Sequence, residues 1–444
     1  MIMKIQLSDH FTYKKLFRFT LPSVVMMIFT SIYGVVDGFF VSNFVGKTPF
    51  AAVNFIMPFL MILGAVGFMF GTGGSALISK TMGEGDRVRA NRLFSMFVYI
   101  SAACGIIIAV FGIIFLRPIA VLLGAEGVML ENCVVYGRII LFALPAYMLQ
   151  YEFQSFFVTA GKPQLGLTVT IISGVSNMVL DALLVAVFDF GLSGAAAATA
   201  ISQCIGGIVP VIYFLCPNSS LLRLTKTKFY GRSLLIGCIN GSSELMSNIS
   251  MSLIGMLYNV QLMKFAGEDG VAAYGVLMYV NMIFLAAFIG YSVGTAPVIG
   301  YSYGAKNSVE LKNMFKKSFI IIGTLSVIMF ASAELFAVPL SKVFVGYDPS
   351  LLEITKRGFV IYSFSFLFAG IAIYGSAFFT ALNNGLISAL ISFLRTLVLQ
   401  VVAVLILPVI WGVDGIWISI VAAELLAAVI TVILLAAKRS QYRY

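Results

Sequence analysis

Charge is scarce in this chain: 10% of its 444 residues are Asp, Glu, Lys or Arg, while 60% are hydrophobic. An average soluble domain carries about a quarter charged residues, and no soluble core hides this much apolar surface. Histidine is reduced to one residue, His10, and cysteine to five, at positions 104, 133, 204, 216 and 238. A solitary histidine near the N-terminus reads as a solvated interfacial side chain, and no Cys/His grouping has metal-ligand spacing. An odd number of cysteines in or beside apolar runs argues against a disulfide framework. No polar stretch exceeds a short loop, which leaves no room for a soluble catalytic domain, and no G-x-x-x-x-G-K-[ST] motif points to ATP-driven work. Disorder and collagen-like repeats are excluded by the same composition. Water is the wrong solvent for most of this chain, and the fold class expected is an all-α polytopic membrane protein.

What is abundant is apolar sequence in pieces of spanning length. A transmembrane helix needs roughly 20 such residues, and twelve spans follow: 16–41, 51–79, 93–116, 130–157, 164–188, 192–215, 233–262, 271–302, 318–345, 352–381, 386–410 and 413–437. The first run is too long for a signal-peptide core and no A-x-A-like site ends it. An even number of spans puts both termini on one side. The loops and ends of that side hold twenty Lys and Arg, against six on the other. The net charge of +10 is therefore a positive-inside bias, with both termini cytoplasmic, and not a nucleic-acid signal.

The chain also repeats itself. An ungapped shift of 221 residues pairs Gly46 with Gly267, Met61-Ile62 with Met282-Ile283, Gly73 with Gly294, Gly83 with Gly304, Thr159 with Thr380, Gly191 with Gly412 and Gly194 with Gly415. One register held over so long a stretch implies a duplication. Each half has six helices, and because six is even the two lobes are parallel, related by a pseudo-twofold along the membrane normal. The expected organisation is an N-lobe over 1–216, a polar, basic cytoplasmic linker over 217–232 and a C-lobe over 233–444. Gly83 and Gly304 are each expected to end a long helix.

Against this background a few acids stand out. An ionised group at mid-bilayer costs at least about 2.5–3.5 kcal/mol, so it normally faces a cavity or a partner. Asp37 lies in the first span with Tyr33 one turn before it, fifteen residues after Pro22, whose missing amide lets the helix bend. Asn177 and Asp181 are spaced i, i+4 and share a face of the fifth span. The small residues of GLSGAAAAT permit close helix approach and bring Thr199 towards that face. Two carboxylates, an amide and a hydroxyl suit a hard cation such as Na+; the carboxylates also suit one shared proton. Glu244 gives the second half an acid of its own, in the polar stretch CINGSSELMSNIS, and reads as a lure for a cationic ligand. The shift maps Asp37 onto Tyr258 and Glu244 onto Ser23, so the halves are chemically unequal. Arg395 has a candidate partner in Glu424, while Glu152 and Glu334 fall nearer the rims. The 39 Phe and 20 Met mostly pack or face lipid, and a cleft lined by them suits varied apolar cargo.

Pro22 with Asp37, the N-x-x-x-D of Asn177 and Asp181, the G-x-x-G-A-A-x-A-T of Gly191 to Thr199 and the two six-helix halves resemble the multidrug and toxic compound extrusion (MATE) family over nearly the whole chain. The resemblance implies a V-shaped, two-lobed antiporter, with no cofactor, that exports small organic cations across the cell membrane in exchange for inward H+ or Na+. It implies a cation site of Asp37, Asn177, Asp181 and Thr199, the same four residues serving as ligands if the ion is Na+. Tyr33, Tyr136 and Gln154 match nearby polar positions, Glu244 resembles a helix-seven acid of the NorM-like branch, and Pro22 is the hinge. The tenth span lacks the mid-span aspartate of that branch, which places the coupling ion in the N-lobe. The partners expected are organic cations and the lipid bilayer, with no nucleic acid, and the protein is expected to be a monomer. A lipid-linked oligosaccharide flippase of the same superfamily is the alternative, although such proteins carry cationic cavities or two extra helices. A membrane-embedded enzyme lacks any catalytic constellation here.

Overall fold

Thr12 starts the first helix by accepting the Lys15 amide on its Oγ1, and α1 then runs from Tyr13 to Val45. The computed structural model describes residues 5–346 and 348–444. Lys4, counted among the basic residues before the first span, lies outside them. Five more helices complete the first half: α2 (Lys47–Gly83), α3 (Arg87–Leu123), α4 (Gly127–Thr159), α5 (Pro163–Val187) and α6 (Gly191–Leu215). In the second half one helical stretch over Gly231–Gly304 is divided at Gly267 into α7 (231–266) and α8 (268–304). Then come α9 (Ser308–Val345) and α10, made of Pro349–Ser363 and Phe366–Ala381 with a 49° bend between them. A final stretch over Gly385–Tyr442 is divided at Gly412 into α11 (385–411) and α12 (413–442). The described residues contain no strand. Twelve helices of spanning length among the described residues make this a multi-pass membrane protein.

The duplication is visible in the backbone. Gly46 and Gly267, paired by the 221-residue shift, have φ of 109° and 63° at the junctions that reverse α1 into α2 and α7 into α8. Gly191 and Gly412, also paired, have φ of 53° and 60° at the α5–α6 and α11–α12 junctions. Only glycine takes this conformation without steric cost. The N-caps correspond too: Asp86 accepts the Arg89 amide at the start of α3, and Asn307, 221 residues on, accepts that of Glu310 at the start of α9. In each lobe one helix is central. α4 packs on α2, α3 and α6, and α10 packs on α9, α11 and α12.

The lobes join on the side that carries the chain ends. A Cβ on Gly73 of α2 would fall 1.9 Å from the Gly237 carbonyl oxygen of α7, and one on Gly241 would fall 1.9 Å from that of Met69. Backbones this close need bare glycine on both helices. The matching approach lies between α8 and α1, where Gly290 meets Val24 and Gly294 meets Thr20. These glycines all lie in the halves of their helices nearer the chain ends.

Two non-helical segments reinforce that face. Residues 217–230 run along α3, where Asn91 Oδ1 accepts the Arg223 amide at 3.0 Å and Ser95 Oγ accepts the Thr225 amide at 2.8 Å; Leu222 is fully buried beneath them. The N-terminal segment crosses to the other lobe. Phe11 is fully buried, its amide donates to Glu310 Oε1 at 3.0 Å, and Lys317 Nζ donates to its carbonyl at 2.6 Å. His10 is largely exposed but is not solitary: its Nδ1 lies 2.6 Å from Glu310 Oε2. His10 is thus solvated as expected, and only its isolation is corrected: its partner lies 300 residues away. The five cysteines are free.

Candidate functional sites

In the first lobe α1 supplies Asp37, α5 supplies Asn177 and Asp181, and α6 supplies Thr199. Gly174, one turn before Asn177, lets α1 close on α5, since a Cβ there would sit 2.6 Å from the Phe29 ring and 3.0 Å from that of Tyr33. Thr199 Oγ1 donates to Asp37 Oδ1 at 3.3 Å. Asp37 lies against Asp181 and Asn177, which are 0% and 1% exposed. Neither the Asp181 carboxyl nor the Asn177 amide has a hydrogen-bond partner among the described residues. Tyr136, fully buried on α4, faces both carboxyls. Tyr33 reaches Gln150, which in turn donates from Nε2 to Ser173 Oγ at 3.3 Å. Gln154 is buried one turn further along α4.

Both acids lie within one turn of the end of an α-helical run. α1 closes in a π-helical turn, Val41–Val45, one turn beyond Asp37, and α5 closes in another, Ala182–Val187, directly after Asp181. Such turns insert a residue into the helical frame and cluster at functional sites. Chemically, two adjoining buried carboxyls with no cationic side chain against them among the described residues cannot both carry charge without a large desolvation cost. The unsatisfied Asp181 and Asn177 oxygens, with the Thr199 hydroxyl and the Asp37 carboxyl beside them, fit a proton or a hard monovalent cation. Pro22 lies within the α-helical run of α1, which continues through it from Tyr13 to Phe40.

Glu152 departs from the sequence expectation. Whatever its depth in the span, it is not open to solvent: the side chain is 0% exposed and both carboxyl oxygens lack a hydrogen bond among the described residues. Gly71 of α2 packs directly on its backbone, with a Cβ placed 2.8 Å from Glu152 Cα, and Ser101 of α3 is the polar neighbour. The glycines at 64, 67, 71 and 74 of α2, four on one face, were the signal that α4 would be drawn this deep.

Glu244 belongs to a different place. It lines a cavity of the second lobe with about 1450 Å³ of empty volume, its solvent-open mouth included, to which Thr72, Ser75 and Ser155 of the first lobe also contribute. Arg395 sits in a third π-helical turn, Leu394–Val398, and lines the same cavity. Its Nε donates to Glu424 Oε2 at 2.8 Å and Oε1 at 3.1 Å, which confirms that partnership. Where the first lobe has Asp37, the second has Tyr258, whose Oη lies 2.7 Å from Gln400 Oε1 and 2.8 Å from Ser419 Oγ. The second lobe thus holds an internally satisfied network at the position where the first holds Asp37 beside the unsatisfied Asp181.

Two parallel six-helix lobes that meet on one side, with buried acids in one and an open cavity in the other, define a two-lobed membrane transporter fold. The family model described as MatE matches the chain twice, over residues 22–183 and 245–406, and the protein belongs to that family. Its curated relatives include a multidrug export protein MepA of Staphylococcus haemolyticus, 26% identical over 375 residues, covering 81% of this chain and 80% of the relative. The MepA of Staphylococcus aureus is 24% identical over 418 residues, covering 94% and 92%. Among solved structures, the outward-facing conformation of a multidrug resistance MATE family transporter superposes with a TM-score of 0.93 at 22% identity, covering 100% of this chain and 99% of that one. The relatives are transporters by name, not enzymes.

Proposed function

We propose that the protein is a secondary active multidrug exporter of the cell membrane that expels small organic cations in exchange for H+ or Na+. The observation that carries this reading is the first-lobe cluster, where Asp37 and Asp181 adjoin with Asn177 and Thr199 while the Asp181 and Asn177 groups stay unsatisfied. An ion arriving from outside neutralises the pair. Neutralisation redraws the hydrogen bonds around α1, the helix bends at Pro22, the first-lobe space shrinks and the cargo leaves. Tyr33, Tyr136 and Gln154 line that path, and Glu244 attracts cationic cargo from the second lobe. The membrane potential contributes about 2.3 kcal/mol per charge per 100 mV to each inward cation.

Support for the direction comes from the lobe contacts on the chain-end face, which the excess of Lys and Arg places in the cytoplasm. With that face shut, the state described is open outward. The lobes are residues 1–216 and 233–444, joined by 217–232, and one chain forms the transport unit. The test is ethidium efflux from energised cells by the parent and by Asp37→Asn. Efflux unchanged at normal expression removes Asp37 from the mechanism. Reconstituted transport under separate Na+ and pH gradients then identifies the ion.

A further inference from the structure

Glu152 is a buried acid for which the ion cycle described above has no use. Its side chain is 0% exposed, and neither carboxyl oxygen has a hydrogen-bond partner among the described residues. Its polar neighbour, Ser101 of α3, has an unpartnered hydroxyl as well. Among the described residues no charged side chain of α2, α3, α6 or α7 acts on Glu152; the titratable Cys104 of α3 and Cys238 of α7 face each other. A carboxylate so placed would be a buried charge without a counter-ion, so the group is held as the neutral acid. It is separate from the Asp37 cluster: Tyr136, which faces both of those carboxyls, lies sixteen residues earlier on α4, about 24 Å along the helix. Nor does the fold demand an acid here, since the 221-residue shift puts Ile373 at the equivalent position of the second lobe.

What covers Glu152 belongs partly to the other lobe. Gly71, Ser101 and Glu152 form one layer of α2, α3 and α4. One turn nearer the chain ends, a Cβ on Gly74 would fall 3.1 Å from the Phe156 ring and 3.2 Å from that of Phe97. Both rings are fully buried, and they lie between the acid and the chain-end face. Phe97 is pinned from across the seam: a Cβ on Gly237 of α7 would fall 2.3 Å from its ring, and the Gly237 carbonyl is itself packed on Gly73.

We propose that Glu152 is a proton-binding site that locks the seam between the lobes, occupied while α7 is packed on α2 and α3 and emptied towards the chain-end side when α7 leaves. Parting the seam frees Phe97, water reaches the layer of Ser101 and Glu152, and the acid gives one proton to that water. Reclosing the seam over a carboxylate would bury a charge with no partner. The lobes therefore close again only after Glu152 has taken a proton back from the same side, and the lock works independently of the Asp37 pair.

The inference rests on the exporter reading, which requires the lobes to part, and two measurements separate them. Val88 and Val309, exposed at the starts of α3 and α9 and paired by the repeat, are replaced by cysteine in a full-length chain whose five native cysteines are alanine. Nitroxide distances are then read in nanodiscs across a pH series, with Asp37→Asn and Asp181→Asn present throughout so that the first-lobe pair does not titrate. The ratio of open to closed seam should climb about tenfold more per pH unit with Glu152 than with Glu152→Gln, because one more proton leaves on opening. The comparison cancels any contribution of His10, whose contact with Glu310 also crosses between the lobes and is common to both samples. Glu152→Met, apolar and of similar size, should match the glutamine variant, and Glu152→Asp should keep the steep dependence. Equal steepness in all four proteins overturns the lock and leaves the exporter reading untouched. Failure of the unmodified protein to export ethidium under either an Na+ or a pH gradient overturns the exporter reading, while the distances still decide the lock.

Discussion

Gly83 and Gly304 meet each other's helices in the same way: a Cβ on Gly83 would fall 2.1 Å from the Tyr301 carbonyl oxygen, and one on Gly304 would fall 2.0 Å from that of Lys80. Lys80 and Tyr301 are themselves paired by the internal repeat, so α2 and α8 touch across the pseudo-twofold axis by an isologous contact. The contact closes the chain-end face backbone against backbone. Gly83→Val or Gly304→Val should therefore prise that face open, at the cost of about 1–3 kcal/mol typical of overpacking. Inter-lobe distances measured between spin labels on the two sides should shift towards the conformer closed on the far side, and efflux should fall.

The Thr199 hydroxyl donates to Asp37 at 3.3 Å. Thr199→Val removes it and Thr199→Ser keeps it. Loss of such a bond costs about 0.5–1.5 kcal/mol. Proteoliposome transport should show a several-fold change in the driving-ion concentration at half-maximal rate for the valine variant, with the serine variant close to the parent.

Glu424→Gln should be worse tolerated than its modest chemistry suggests. It leaves the Arg395 charge buried without its counter-ion, a loss of about 3–5 kcal/mol. The melting temperature in detergent should drop by several degrees, and adding Arg395→Gln should recover most of the drop. A single variant as stable as the parent would show the pair to be hydrated.

Phe11 fastens the N-terminal segment of one lobe to the other. Replacing a fully buried phenylalanine by alanine costs about 3–5 kcal/mol in a closed core, somewhat less where the segment can re-collapse. Hydrogen exchange over residues 5–12 should rise sharply in Phe11→Ala, and to a lesser degree in Glu310→Gln, which weakens the acceptor of the Phe11 amide.

The twelve helices were legible because hydropathy and bilayer thickness set them directly, and the duplication because one register is held without gaps. The meeting of Asp37, Asn177, Asp181 and Thr199 followed from an i, i+4 spacing and a run of small residues, both local signals. What escaped the sequence depends on depth and on distant partners. Glu152 looks solvated by its position in the span, yet the glycine face of α2 packs it out of reach of solvent. His10 looks solitary because Glu310 lies in the other half. The bend in α10 has no proline to announce it; Ser363 beside it donates its hydroxyl to Glu334 of α9, a pairing no periodicity reveals.

The three π-helical turns, Val41–Val45, Ala182–Val187 and Leu394–Val398, have a mechanical consequence. Each stores one residue more than the regular spiral requires, and a stored residue can be handed along a helix without lengthening it. The segment beyond the turn then swivels by about a third of a revolution while the rest stays packed. Re-aiming the carboxylates, or the arginine, accordingly needs no movement of a whole lobe.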